Sequence, residues 1–449
     1  MGISTFFGLQ TALRGILAQQ RALDVTSHNI ANANTVGFSR QEATLVASPA
    51  YSYPSVSGDI GPGQIGSGVD VAEYQRVRDL FVDVQLRAQT MRAGTYDALR
   101  RGLDQVELAL SEPSDTGLNT LLSRFWDAWQ DVANAPENLA TRQSLLQSAA
   151  TLADGLRTLD AQLSTLTAQT AQNATMTLDE VNSVGRQILE LNVRIANARA
   201  VGDQPNDLLD QRDLLVDRLA ELGNVTATTG ANDAIDVTFG GAALVTGVTS
   251  SATLAETDLT SLTAGKLAGL VQLRDTTLPG YRADLDAVAS ALVTQTNALH
   301  ATGFDLGGTT GRAFFAPAGT SAATIALDPG VLGAPQNVAA AVAAGRVGDA
   351  TVALQITGLR GAAGIDVAYQ QLVTRVGADA REATRTLANA QLLADALRDR
   401  RDEVSGVSLD EEMTNLLRFQ RGFQASARAL SAMDEMIELL VNRTGRVGL

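Results

Sequence analysis

Leu409 to Val441 reads LDEEMTNLLRFQRGFQASARALSAMDEMIELLV. Steps of three and four residues pick out Leu409, Met413, Leu416, Gln420, Phe423, Ala427, Leu430, Asp434, Ile437 and Val441, and eight of these ten are apolar. That spacing predicts one long helix with a coiled-coil-like seam, about 50 Å long at a rise of about 1.5 Å per residue. The opposite end of the chain carries a matching stripe: Phe6, Leu9, Leu13, Ile16, Gln20, Leu23, Ser27 and Ile30. Within one chain the two terminal helices have only each other for cover. Lateral neighbours would bury the rest, so a ring or tube of subunits joined through the termini is expected. Leu9, Leu13, Ile16, Leu23 and Ile30, with Met413, Leu416, Phe423, Leu430 and Ile437, are the candidates for inter-subunit packing. Gln20 and Gln420 interrupt the seams. A polar residue there either fixes register or simply faces solvent.

The N-terminal helix runs out in NIANANTVGFSR, residues 29–40. Asn29, Asn32, Asn34 and Gly37 suit a helix end, because Asn and Gly tolerate left-handed backbone and Asn side chains satisfy free backbone groups. At the other terminus Ser408 and Glu411 have the spacing of a capping box, and Asp410, Glu411 and Glu412 complement the helix dipole. The acidic triplet therefore reads as capping rather than as acid/base chemistry. His28 and His300 each fall near a predicted helix end and share no metal-ligand spacing.

Between the ends, 41–72 is rich in Gly, Ser and Pro and reads as extended loop with short strands. From about 76 to 222 the pattern is helical, with breaks at 112–117, 134–138 and 202–207. Trp126 and Trp129 share a helical face and read as core. Asp207, Asp210, Asp213 and Asp217, interleaved with Arg212 and Arg218, read as a solvated charged face. Residues 224–248 alternate as a small β unit with a turn near 230–233, 267–301 is helical, and 303–358 suggests mixed short strands. The expected fold is α+β and mostly helical, with long terminal coiled-coil-like helices, a central elongated helical bundle and small β-rich outer insertions. The corresponding division is 1–45 plus 405–449 as a terminal-helix assembly domain and 46–75 as an extended linker. Residues 76–223, 262–302 and 361–404 form the bundle, and 224–261 and 303–360 the insertions.

Composition narrows the function. The chain has 449 residues, a net charge of −15 and no cysteine. The charge disfavours nucleic acid, and the lack of cysteine excludes disulfides and thiolate metal sites. All 34 basic residues but Lys266 are arginine. No apolar run suits a membrane span, and the first residues do not resemble a cleaved signal. Gly61–Gly66 fits GxGxxG but lacks the flanking strand and helix that phosphate binding needs. No constellation points to an enzyme, a cofactor or a metal.

Several stretches carry a family resemblance. NIANANT with Gly37 resembles the N-terminal signature of bacterial flagellar axial proteins, with Val36 and Phe38 closer to hook and rod members. GSGVDVAEYQRVRDLFVDVQLR (66–87), SEPSDTGLNTLLSRFWDAWQDVANAPENLATRQSLL (111–146) and NDLLDQRDLLVDRLAEL (206–222) are similar to the hook-associated FlgK family. So are LAGLVQLRDTTLPGYRADLD (267–286) and SGVSLDEEMTNLLRFQRGFQASARAL (405–430). The resemblance implies an extracellular structural subunit that joins flagellar hook to filament and is exported unfolded through the flagellar type III export apparatus. It also implies the hook protein, the second junction protein FlgL and other copies of itself as partners, with the chaperone FlgN holding the C-terminal region before export. The alternative within the same axial family is a hook or distal rod protein.

Overall fold

The computed structural model describes residues 6–50, 65–362 and 364–443. Helix α1 (Phe7–Ala31) leads into an antiparallel pair, β1 (Gln41–Ala47) and β2 (Val69–Arg76). Helices α2 (Leu80–Leu110), α3 (Leu118–Asn134), α4 (Leu139–Ala200) and α5 (Asn206–Leu222) follow. Strands β3 (Val225–Thr229), β4 (Ile235–Phe239), β5 (Ala242–Thr246) and β6 (Ser250–Ser251) form one antiparallel sheet in sequence order. Then come α6 (Lys266–Gln272), a π turn, α7 (Leu278–His300), a long irregular stretch, α8 (Thr351–Thr357), α9 (Leu359–Ala362), α10 (Ile365–Ser405) and α11 (Leu409–Arg443). The architecture is α+β and mostly helical, with long helices around a central bundle and small sheets.

Local chemistry places the breaks. Asp79 starts α2 by accepting the Phe81 amide at 2.9 Å, and Asn138 starts α4 by accepting the Ala140 amide at 2.8 Å. Ser111 ends α2 in left-handed backbone at φ 47°. The 62 residues of α4 span about 93 Å, so this one helix runs through both cores. The larger core centres on Phe125, Trp126, Trp129, Tyr281, Phe314, Phe315 and Tyr369. The second packs the β3–β6 sheet, through Val237, Phe239 and Leu244, against α4 and α5. Gly61–Gln64, and with them most of the GxGxxG run, lie outside the described residues.

Residues 303–358 differ from the β-rich outer insertion expected of them. Among the described residues they hold isolated bridges, Phe304 with Thr310 and Ala341 and Phe315 with Leu327, rather than a strand. Their apolar side chains sit in the larger core, where Phe314, Phe315, Ile325 and Val338 are fully buried. Side chains of the bundle take the place of a ladder. Asn297 accepts the Phe314 and Phe315 amides at 2.8 Å each and donates to the Phe315 carbonyl at 2.8 Å. Buried Arg142 donates to the carbonyls of Pro136 and Val338. Its pKa is lowered to about 10 because burial outweighs the attraction of Asp305.

His300 serves the same stretch. The Ala339 amide donates to Nε2 at 2.9 Å, so Nδ1 carries the proton and donates to the Arg312 carbonyl at 2.8 Å. A second proton would set two donors against each other in a fully buried site, and burial lowers the pKa from 6.5 to about 4. The unfolded chain therefore takes up this proton at higher pH than the folded one. Stability is complete above about pH 6.5 and falls by up to about 3 kcal/mol as the pH drops towards 4. Urea titrations at about pH 7 and about pH 4.5 should show the loss, and His300→Gln should lose less over the same window. Equal losses would assign the acid lability to other groups.

Candidate assembly surface and its clamp on the body

Helices α1 and α11 lie antiparallel through a seam of small residues. A Cβ at Gly8 would stand 2.6 Å from the Met433 sulfur, one at Gly15 2.9 Å from Ser426 Oγ, and one at Gly422 2.8 Å from the Gln19 side chain. Glycine therefore lets the two backbones approach closely. The residues that α1 buries fully are small or polar: Ala12, Ala18, Ala22, Thr26 and Asn29. The larger apolar side chains stay partly open. Leu13 and Leu17 are each 45% exposed, and Leu9, Ile16, Leu23 and Ile30 are half-buried. On α11, Leu416, Phe423, Leu430 and Ile437 are half-buried, and Met413 is exposed. Gln20 and Gln420 are both exposed. The pair thus keeps an apolar surface after the two helices have covered each other.

The end of α1 is tied to the body residue by residue. Asn29, buried, donates to the Gln41 carbonyl at 2.9 Å and accepts the Gln41 amide at 3.0 Å, so it fixes the start of β1. Asn32 donates from both its amide and its side chain to the His28 carbonyl and accepts from Thr35. Asn34 is exposed. Gly37 has φ +79°, and any Cβ there would collide with Leu214 on α5. His28, in the last turn of α1, ends up against Phe38 and 3.3 Å from both Asp207 and the Asn32 side chain.

Helix α5 receives this linker, and here the solvated charged face expected of 207–218 gives way to a partly buried clamp. Asp210, 4% exposed, accepts from the Ser39 amide at 2.9 Å and the Ser39 hydroxyl at 2.7 Å, and pairs with Arg76 at 2.8 Å. Asp213 pairs with Arg76 and Arg78, and Asp217 bridges Arg87 of α2 and Arg401 of α10. Buried Arg212 donates to Asn192 and to the Asp233 carbonyl. Asp207 and Arg218, the latter paired with Glu180 and Glu221, stay at the surface. Burial works to raise the Asp213 pKa, but Arg78, Arg76 and Arg87 outweigh it and hold the carboxyl below its ordinary range. The partners of Asp210, Asp213 and Asp217 lie more than a hundred residues away in the chain, so spacing alone gave no signal of them.

Arg40 links the same linker to α11. Its amide donates to the Ser405 carbonyl at 2.9 Å, and its guanidinium contacts Glu411 at 2.8 Å and the buried Glu412 at 3.1 Å. This changes the expected capping box. Ser408 Oγ accepts the Glu411 amide at a long 3.5 Å, while the Glu411 carboxylate turns to Arg40. A charged partner competes successfully for that carboxylate. Among the described residues no group of three or more acidic or imidazole side chains could hold a metal, and no helix is long and apolar enough to cross a membrane.

Comparison with known proteins accounts for both parts of the chain. The family model of the flagellar hook-associated protein FlgK helical domain matches residues 103–261 and 253–315. The flagellar basal body rod FlgEFG protein C-terminal model matches 399–443, and the flagella basal body rod protein model matches 9–38. Flagellar hook-associated protein 1 of Bacillus subtilis is 30% identical over 501 aligned residues, covering 98% of this chain and 99% of the relative. The Escherichia coli protein of the same name is 30% identical over 334, covering 69% of this chain and 59% of the relative. The structure of the flagellar hook junction protein FlgK from Burkholderia pseudomallei aligns at 30% identity and a TM-score of 0.46, over 52% of this chain and 46% of that one. The chain therefore belongs to the flagellar hook-associated protein 1 (FlgK) family, structural proteins of the bacterial flagellum that are not enzymes.

Proposed function

We propose that this chain is a junction subunit between hook and filament, polymerised through its terminal helices after export in the unfolded state. The observation that carries this reading is the leucine and isoleucine surface that α1 keeps once α11 has covered its small-residue side. Neighbouring pairs would bury it, each such side chain contributing ~1.5–3 kcal/mol before ordering costs. The hook protein below, FlgL above and other copies of the chain are its partners in this reading. FlgN and the type III export apparatus handle the chain beforehand, and the assembled subunit is extracellular. A hook or distal rod protein is the alternative, since rod-family models match both terminal helices.

Leu13→Asp tests the packing better than a change at Leu416 or Phe423, because Leu13 is exposed within the chain whereas those two are half-buried. The variant should unfold at the same urea concentration as the unsubstituted protein yet fail to build junctions on flagella. Normal incorporation would refute packing through α1. Immunogold labelling of isolated flagella decides position: label confined to the hook–filament boundary supports a junction, and label along the hook or rod supports the alternative.

A further inference from the structure

Helix α2 begins with a face that the rest of the described chain leaves open. Leu80, Phe81 and Val84 are 75%, 70% and 63% exposed, and exposed Ala88 and Arg92 continue the face at helical spacing. A single exposed leucine is ordinary, but Leu, Phe and Val side by side on a charged surface mark a contact. Arg92 has no carboxylate partner among the described residues, unlike Arg87 and Arg100 on the same helix. On another side of the body's base, between the 33–40 linker and the turn from α10 to α11, lies an open cavity of about 580 Å³. Val36, Leu214 and Val407 give it an apolar wall; Arg40, Arg78 and Arg401 also line it, but carboxylates outnumber them, and Asp402, unlike Glu403 and Glu411, has no cationic partner among the described residues. Val36 is 81% exposed, more than any other large apolar side chain described. Helix α5 separates the two features, with Leu214 facing the cavity and Leu209 and Arg212 facing the cleft beside Leu80.

We propose that the Leu80, Phe81 and Val84 wedge of one subunit seats in this cavity of a second copy, with Arg92 directed to Asp402. An apolar wedge followed by an unpaired cation meets an apolar wall beside an unpaired carboxylate, in a lining whose acidic groups outnumber its arginines, which favours approach of a chain of net charge −15 to its own copy. The two surfaces are different patches of one molecule, so the contact is heterologous and repeats from subunit to subunit around a ring or along a helix. Both flank the junction with the terminal helices, so packing those helices side by side brings the bodies together at this level. The proposal rests on the self-assembly reading above and names the body-to-body contact within it.

The absence of cysteine makes cross-linking clean. Flagella from cells co-expressing Phe81→Cys and Val407→Cys subunits, mildly oxidised, should give a disulfide-linked dimer that neither variant gives alone. Incorporated subunits with no dimer, or a dimer from Phe81→Cys alone, would overturn the proposal. Phe81→Asp supplies a second arm: its urea midpoint should be unchanged and its incorporation reduced at least about tenfold. Unreduced incorporation would overturn the contact while leaving terminal-helix assembly intact. Failure of the unsubstituted protein to incorporate at all would overturn the self-assembly reading, and this contact with it.

Discussion

Asp210→Ala should lower the unfolding free energy by about 3–5 kcal/mol, the usual cost of breaking a buried ion pair from one side. One carboxylate holds the Ser39 amide, the Ser39 hydroxyl and Arg76. Removing it leaves two linker donors unpaired and deprives Arg76, itself largely buried, of one of its two acidic partners. Urea titration measures the loss, and trypsin should cut after Arg40 sooner. Asp210→Leu combined with Arg76→Met should regain the part of the loss that comes from the stranded charge, though not that of the two Ser39 donors. Losses that simply add would show that the two residues do not act as a unit. The Asp213 part of the clamp should also tolerate mild acid. A carboxylate with a lowered folded pKa stabilises above its unfolded pKa and loses that contribution only as pH falls through the folded value. For Asp213 this lies below the ordinary carboxylate range, and so below the window in which His300 acts.

Trp129→Ala should cost a similar ~3–5 kcal/mol, through lost burial and the cavity left behind. Trp129 is fully buried, with Phe314 at 5.1 Å and His300 at 6.3 Å between ring centroids, so it joins α3 to the irregular 303–358 stretch. Hydrogen exchange should show amides such as those of Phe314 and Phe315 losing protection before those of α4. Trp129→Phe should cost far less, because the Trp129 N–H is buried without an acceptor among the described residues and phenylalanine removes that unpaired donor. Trp126 is the control. Its N–H donates to Asp366 at 3.0 Å, so Trp126→Phe should remove that hydrogen bond, leaving the carboxylate only Arg360 at 3.9 Å, and cost more than the same change at Trp129.

The helices were legible where periodicity and punctuation agree. The breaks at 112–117, 134–138 and 202–207 separate α2, α3, α4 and α5, and both tryptophans lie in the core. Asp210 and Asp213 were not legible as a clamp. On a helix their spacing is also that of a solvated face, and the arginines that bury them arrive from β2 and the loop after it. Residues 303–358 misled for a different reason. Gly, Ala and Thr in short runs resemble strands, while Asn297, Arg142 and His300 supply their hydrogen bonds from other elements. On α1 the 3-4 stripe was visible, but the glycines and alanines that meet α11 carry no apolar signal, so the inner face of the pair was hidden.

The seam that joins Gly8 to Met433 closes nearly the whole chain into one loop, and this sets an order in time. In an unfolded chain the entropic cost of such a closure grows only slowly, about 0.6 kcal/mol for each doubling of length, but few contacts reward it until the intervening body has formed. A body folded on α4 brings the two ends near each other, because Arg40 and Ser405 meet at its base. The first helix made is thus the last to find its partner, and until then both its glycine side and its leucine side are open to any other surface that will take them.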